Sequence, residues 1–279
     1  MKLAEASDKQ AQADGMDVPA EIARREDRLK AIAQAKADIE QRARDRHAAE
    51  QKEYEAKLAK RKAKRDAGKK PGGKEPAPPQ EGPKASDQIN LTDAESRIML
   101  ASDGGFEQSY NAQAGVDTET MMVITQHVTQ ACNDKREVAA TLEQIAALPE
   151  ALGKVDSLLA DNGYCSQANV ALCVAAGIEP LLAMKREQHN TPLLERFAPD
   201  APAPETSDPM AKMAHLLKTQ VGRALYALRK QTVEPVFGII KQVMEWRQMS
   251  MRGLAKAAGE WCLVTLAWNI KRMHVLRGV

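Results

Sequence analysis

The sequence predicts an α/β fold, a mixed sheet flanked by helices, behind a long charged helical segment. Three observations predict it. Residues 1–67 are rich in Ala, Glu, Lys, Arg and Gln, and nothing breaks a helix between Pro19 and Asp66. Residues 68–86 then gather Pro71, Pro76, Pro78, Pro79 and Pro83 with several glycines, a composition that denies a helix, offers no large apolar residue to bury and reads as a linker. Over residues 87–279 short apolar runs alternate with helical periodicity, and a strand–helix–strand–helix–strand order builds an α/β layer with some parallel pairing.

The elements follow in order. Asp17-Val18-Pro19 is a helix start with Pro in the first turn. The segment behind it carries only a thin apolar stripe (Ile22, Leu29, Ile32, Ile39), enough for one neighbour but not for a core. Residues 110–116 and 121–129 read as two strands, and Asp117-Thr118-Glu119-Thr120 joins them as a hairpin. Asn133-Asp134 caps a helix whose apolar spacing runs from Val138 to Leu148. Residues 155–160 form a short buried strand, Gln167 to Ala176 a helix ended by Gly177, and residues 178–183 another strand. A polar, proline-rich loop or lid follows over 186–208 (Pro192, Pro199, Pro202, Pro204). Two helical stretches close the chain, Tyr226 to Lys241 and Arg252 to Val275; Pro235 sets the first of these to begin near Val233.

Composition bounds the function. With 40 Lys+Arg against 38 Asp+Glu the net charge is only +2, so a nucleic-acid partner has to be argued from where charges sit. One such place is the basic end of the first helix: Lys57, Lys60, Arg61, Lys62, Lys64, Arg65, Lys69 and Lys70. It reads either as a solvated helix end, where cations suit the macrodipole, or as a strip contacting phosphates. No apolar run reaches the roughly 18 to 20 residues that span a bilayer, and the first residues lack a signal-peptide core, which predicts a cytoplasmic chain without a membrane partner. Cys132, Cys165, Cys173 and Cys262 have no Cys-x-x-Cys spacing and read as reduced thiols. His127, His189 and His215 lack partner motifs and read as structural. Trp246, Trp261 and Trp268, on helices among apolar neighbours, read as core more readily than as base-stacking platforms.

Two carboxylates stand out. Asp161 follows a buried strand at its C-terminal end, where open α/β sheets bind ligands and metals, and Gly163 allows a sharp turn. A plain strand-ending turn explains the same residues. Glu234 shares a helix face with Gly238 and Lys241, shortly after Tyr226, Arg229 and Lys230. Phosphate chemistry uses this mixture of hard-cation ligand, flanking cations and hydroxyl, although a surface ion-pair network uses it too.

The ordered motifs decide between these readings. Residues 109–117 (Ser-Tyr-Asn-Ala-Gln-Ala-Gly-Val-Asp), 160–164 (Ala-Asp-Asn-Gly-Tyr), 229–241 and Arg252-Gly253-Leu254 resemble the catalytic region of bacterial insertion-sequence transposases of the DDE type. The resemblance implies a ribonuclease-H-like fold and metal-dependent cutting and joining of element ends with two Mg²⁺ ions. It implies DNA as partner, a homo-oligomer, and the charged N-terminal helix as an insertion before the hairpin. Asp161 matches the family's second acidic ligand and Glu234 its third. Tyr226, Arg229, Glu234 and Lys241 resemble its Tyr-Arg-Glu-Lys signature; the Arg229–Glu234 gap is one residue longer than usual, and Lys230 fits it better. The family's first Asp, on a strand in an Asp-Gly-Thr/Ser context, has no match here, and Asp117 in the hairpin turn is a poor substitute. The expectation is therefore a catalytic region lacking its N-terminal part and first strand, inactive alone, with a non-enzymatic DNA-binding or inhibitory fragment as the alternative.

Overall fold

A computed structural model describes residues 17–68, 70–101, 104–184 and 199–278. They divide into two compact units, Met1–Ala94 and Glu95–Val279. Lys69, His189 and Pro192, singled out above, lie outside the described residues.

The first unit is built on helix α1 (Val18–Asp66). It starts where the sequence predicts: the Asp17 carboxylate accepts the Ala20 N–H at 3.2 Å, with Pro19 in the first turn. Only Ala35 and Ala43 are buried along its 49 residues, so local pairs such as Arg25–Glu21 hold much of it. Residues 70–94 contain no helix or strand. They are nonetheless not a loose tether, because they run back along α1. Arg46 grips Asp87 through both nitrogens at 2.7 and 2.9 Å, and Arg42 donates to the Ala94 carbonyl. Arg61 donates to the carbonyls of Gly72, Gly73 and Lys74, and Arg65 pairs with Glu75. Part of the basic helix end is thus engaged within its own unit, while Lys62 and Lys64 stay exposed.

The second unit is mixed α/β. Strands β1 (Arg97–Leu100) and β2 (Phe106–Ser109) form an antiparallel pair that the sequence pattern does not announce. Strands β3 (Asn111–Val116) and β4 (Val123–Thr129) form the expected hairpin. Gly115 is required in it, since a Cβ there would stand 2.3 Å from the Thr125 hydroxyl. The Asn133 side chain caps a 3₁₀ turn at Asp134–Arg136, which leads into α2 (Glu137–Ala146). Then come β5 (Ser157–Ala160), α3 (Gln167–Ala175) and β6 (Glu179–Leu182), a parallel pair with its crossover helix. Residues 199–208 carry no regular structure, and α4 (Pro209–Leu216), α5 (Gln220–Gln242) and α6 (Leu254–Leu276) complete the unit.

The single mixed sheet expected above is replaced, among the described residues, by three two-stranded ladders. Side chains explain the break at β4. The Gln144 amide bonds both N–H and C=O of Gln126, and the Asn269 amide does the same at Val123, where a neighbouring strand would otherwise bond. Pro180 in β6 has no N–H to offer another strand.

The start of α5 also corrects the sequence reading. The helix begins at Gln220, capped by the Thr219 hydroxyl, and passes through Pro235 rather than starting near it. Gln231, whose carbonyl loses its partner to Pro235, lies on the exposed side where solvent serves it. The main core joins Val123, Val236, Ile240, Trp261 and Trp268. All three tryptophans pack in the unit, and each indole N–H has an acceptor: Glu260 for Trp246, the Gln113 carbonyl for Trp261, the Met121 carbonyl for Trp268. His127 pairs with Glu137 at 2.8 Å, and His215 meets the Ala201 carbonyl.

Candidate active site

Asp161 stands at the C-terminal end of parallel strand β5, exposed, opening a 3₁₀ turn over Asn162–Tyr164. Its Oδ1 accepts the Gly163 N–H at 2.8 Å, and Oδ2 has no partner among the described residues. The Asn162 amide nitrogen, in the orientation that satisfies it, donates to the carbonyls of Ala183 and Met184, tying the turn to the end of β6. Tyr164 points inward and donates to Gln113 Oε1. Burial, with the Asp134, Asp161 and Glu137 carboxylates nearby, pushes its phenol well above the usual range, so it acts as a fixed donor.

Helix α5 crosses this strand end. The Tyr226 hydroxyl lies 3.3 Å from the carbonyl of Ala160, the residue bonded to Asp161. The Arg229 guanidinium sits 5.8 Å from the Tyr226 ring centroid, a cation–π contact. Arg229 Nη2 in turn meets Glu234 Oε1 at 3.3 Å. A string of contacts therefore runs Glu234, Arg229, Tyr226, Ala160, Asp161. The helical rise puts Glu234 about 12 Å along α5 from Tyr226. The pairing with Arg229 shows its side chain leaning back toward that end, the direction helical side chains favour.

The cations differ in availability. Arg229 falls on the face of α5 that carries buried Thr232 and Val236; its side chain is 20% exposed and its Nε is buried without a partner. Lys230 and Lys241 lie on the outer face with Glu234, exposed and unpaired among the described residues. Asp117 is occupied in its own turn, where its Oδ2 accepts both the N–H and the hydroxyl of Thr120 at 2.7 and 2.5 Å.

The Arg252-Gly253-Leu254 motif also gains a physical reason. Gly253 has φ +87° and no side chain to cap α6, so the Glu95 carboxylate caps it by accepting the Leu254 N–H at 2.8 Å. The motif residues thus sit on one folded unit: on β3, at the end of β5, along α5 and at the start of α6.

A family model described as Transposase DDE domain matches residues 85–270. The chain belongs to the DDE-domain transposases. Membership makes it an enzyme domain of the transposase kind, with DNA as its substrate. No curated protein and no solved structure matches it. Among the described residues no group of three or more His, Cys, Asp or Glu side chains is gathered for a metal ion, and no helix is long and apolar enough to cross a membrane. Sequence reasoning missed the shell around Asp161. Asn111, Gln113 and Asn169 were read only as parts of a strand or helix, and Asp134 only as part of a helix cap. The sole signal available was that Asn111 and Gln113 lie inside one of the resembling motifs.

Proposed function

We propose that this chain is the ribonuclease-H-like catalytic region of a bacterial insertion-element transposase, in which Asp161 and Glu234 are metal-ligating carboxylates. The string of contacts from Glu234 through Arg229 and Tyr226 to the Asp161 turn carries this reading. It links two exposed carboxylates, of the oxygen-donor type that suits Mg²⁺, to the same end of a parallel strand. Mg²⁺ there would supply charge stabilisation and an activated oxygen nucleophile for phosphoryl transfer. The chain's own residues do the rest. Asp161 presents one free carboxylate oxygen. Tyr226 fixes the approach of α5 to the strand end. Lys230 and Lys241 hold backbone phosphates from the outer face, and Arg229 shields Glu234 until a cation takes the carboxylate. The work takes place on cytoplasmic DNA, by a homo-oligomer.

A second reading is favoured by one observation: Asp117, the candidate for a third acid beside Asp161 and Glu234, is engaged by Thr120. A pair of ions needs more oxygens than two side chains give. On that reading the chain binds DNA without cutting it. A strand-cleavage assay with Mg²⁺ or Mn²⁺ on DNA bearing the element's ends compares the chain with its Asp161→Ala and Glu234→Ala variants. On the first reading the chain cleaves and either change abolishes cleavage; on the second it binds DNA without cleaving it. Cleavage abolished by either change would uphold both ligands and overturn the second reading; absence of DNA binding would overturn both readings.

A further inference from the structure

We infer that Asp134 is a positioning residue for Asp161: it fixes the Asp161–Gly163 turn so that the free Asp161 oxygen is presented outward to a divalent cation. The inference rests on the reading of Asp161 as a ligand and adds what holds it in place.

Asp134 opens the 3₁₀ turn before α2, yet its carboxylate does not cap that turn; Asn133 does. Asp134 Oδ1 instead accepts two side-chain amides from β3, Asn111 Nδ2 at 2.8 Å and Gln113 Nε2 at 2.7 Å. Its Oδ2 reaches Gly163. A Cβ built on Gly163 would stand 3.2 Å from Asp134 Oδ2 and 3.0 Å from Asp161 Oδ1. Two carboxylates therefore flank one glycine, and a side chain there would press on both.

Further bonds tie the two turns to each other and to β3. Gly163 donates its N–H to Asp161 Oδ1. The next residue, Tyr164, donates its hydroxyl to Gln113 Oε1, so the amide that holds Asp134 also holds the turn. Buried Asn169 donates to the carbonyls of Tyr164 at 2.6 Å and Lys135 at 2.9 Å, joining the two turns through their backbones. Gln113 is itself buried, and its own carbonyl is held by Trp261. The amide donors hold Asp134, whereas Asp161 receives one backbone N–H, from the Gly163 that both carboxylates flank, and keeps its second oxygen without a partner among the described residues. Supporting groups of this kind orient ligands and alter metal affinity by about 10- to 100-fold.

The test uses the full chain and Mn²⁺ as the probe. Mn²⁺ affinity at Asp161 is followed by titration, and hydrogen exchange of the Gly163 amide is read without metal. Asp134→Ala should weaken Mn²⁺ binding by about 10- to 100-fold and speed Gly163 exchange, with the melting curve showing a folded chain. Asp134→Asn keeps an acceptor oxygen for Asn111 and Gln113 and should recover most of both readouts, which a pure charge effect would not allow. Gly163→Ala removes no hydrogen-bonding side chain but presses a methyl on both carboxylates, so it should shift the loss in the same direction even if Asp134→Ala fails to fold. The inference is overturned if Asp134→Ala and Gly163→Ala leave Mn²⁺ affinity unchanged while Asp161→Ala abolishes it. If Asp161→Ala itself leaves Mn²⁺ binding unchanged, the ligand reading fails, and the inference goes with it.

Discussion

Asp161 and Glu234 carry the same chemical group, but the fold treats them differently. Asp161 sits exposed on a strand end, in a turn that side-chain bonds tie to β3, the turn before α2, and α3. Glu234 sits in mid-helix, 56% exposed, held by one ion pair to Arg229. The first position is built by tertiary structure and resists change. The second is set by a contact that water, salt or a cation can replace. If the two share an ion, as proposed, one fixed and one movable carboxylate would let the site close without straining the core.

The sharpest way to break that contrast is stability. Gln113→Ala removes an amide that serves Asp134 and Tyr164 together, so it should destabilise the chain by about 1–3 kcal/mol, more than an average surface change. Glu234→Ala removes an exposed pair and should stay within about 0.5 kcal/mol. Urea titration of both variants measures the difference, and equal losses would mean that Asp161 has no special support.

DNA binding sharpens the other side. Lys230→Ala and Lys241→Ala should each weaken binding evenly across sequences and lower the salt slope by about one unit. Arg229→Ala should change the slope less in metal-free solution, because its charge is taken up by Glu234. A larger effect at Arg229 than at either lysine would show that the ion pair does not persist on DNA.

The smallest effect concerns acid. Burial alone would raise the Glu260 carboxyl, but the Ser250 N–H, the Trp246 indole, the Met251 N–H and the Ser250 hydroxyl hold it below the ordinary range. A depressed carboxyl stabilises the fold above its unfolded value, about 4.3 for Glu, and the contribution is lost as pH falls through the lower folded value. Glu260→Gln should therefore flatten the acid limb of the stability curve below about pH 4.3 and leave the Asp161 turn unaffected.

Much of this architecture is legible in the residues. The reach of α1 follows from Asp17, Pro19 and the absence of breakers to Asp66. The β3–β4 hairpin and the β5–α3–β6 unit follow from alternation, caps and Gly177. What is not legible depends on partners far apart in sequence. Strands β1 and β2 are too short and too exposed to show a pattern. Helix α5 runs through Pro235 because the carbonyl it orphans lies outside. Asp161 and Glu234 can be nominated from local motifs, but the role of Asp134 cannot, because Asn111 and Gln113 lie more than twenty positions earlier and act through side chains that a strand reading assigns to its faces.

Whether Asp161 and Glu234 serve one cation, as proposed, is tested most directly by paramagnetic broadening with Mn²⁺, read at the backbone amides of residues 161–163 and 233–236, Pro235 excepted. Both sets should broaden together over the same Mn²⁺ range, and Asp161→Ala should abolish the broadening at both. Broadening of one set alone, or persistence at the α5 amides after Asp161→Ala, would contradict a shared site.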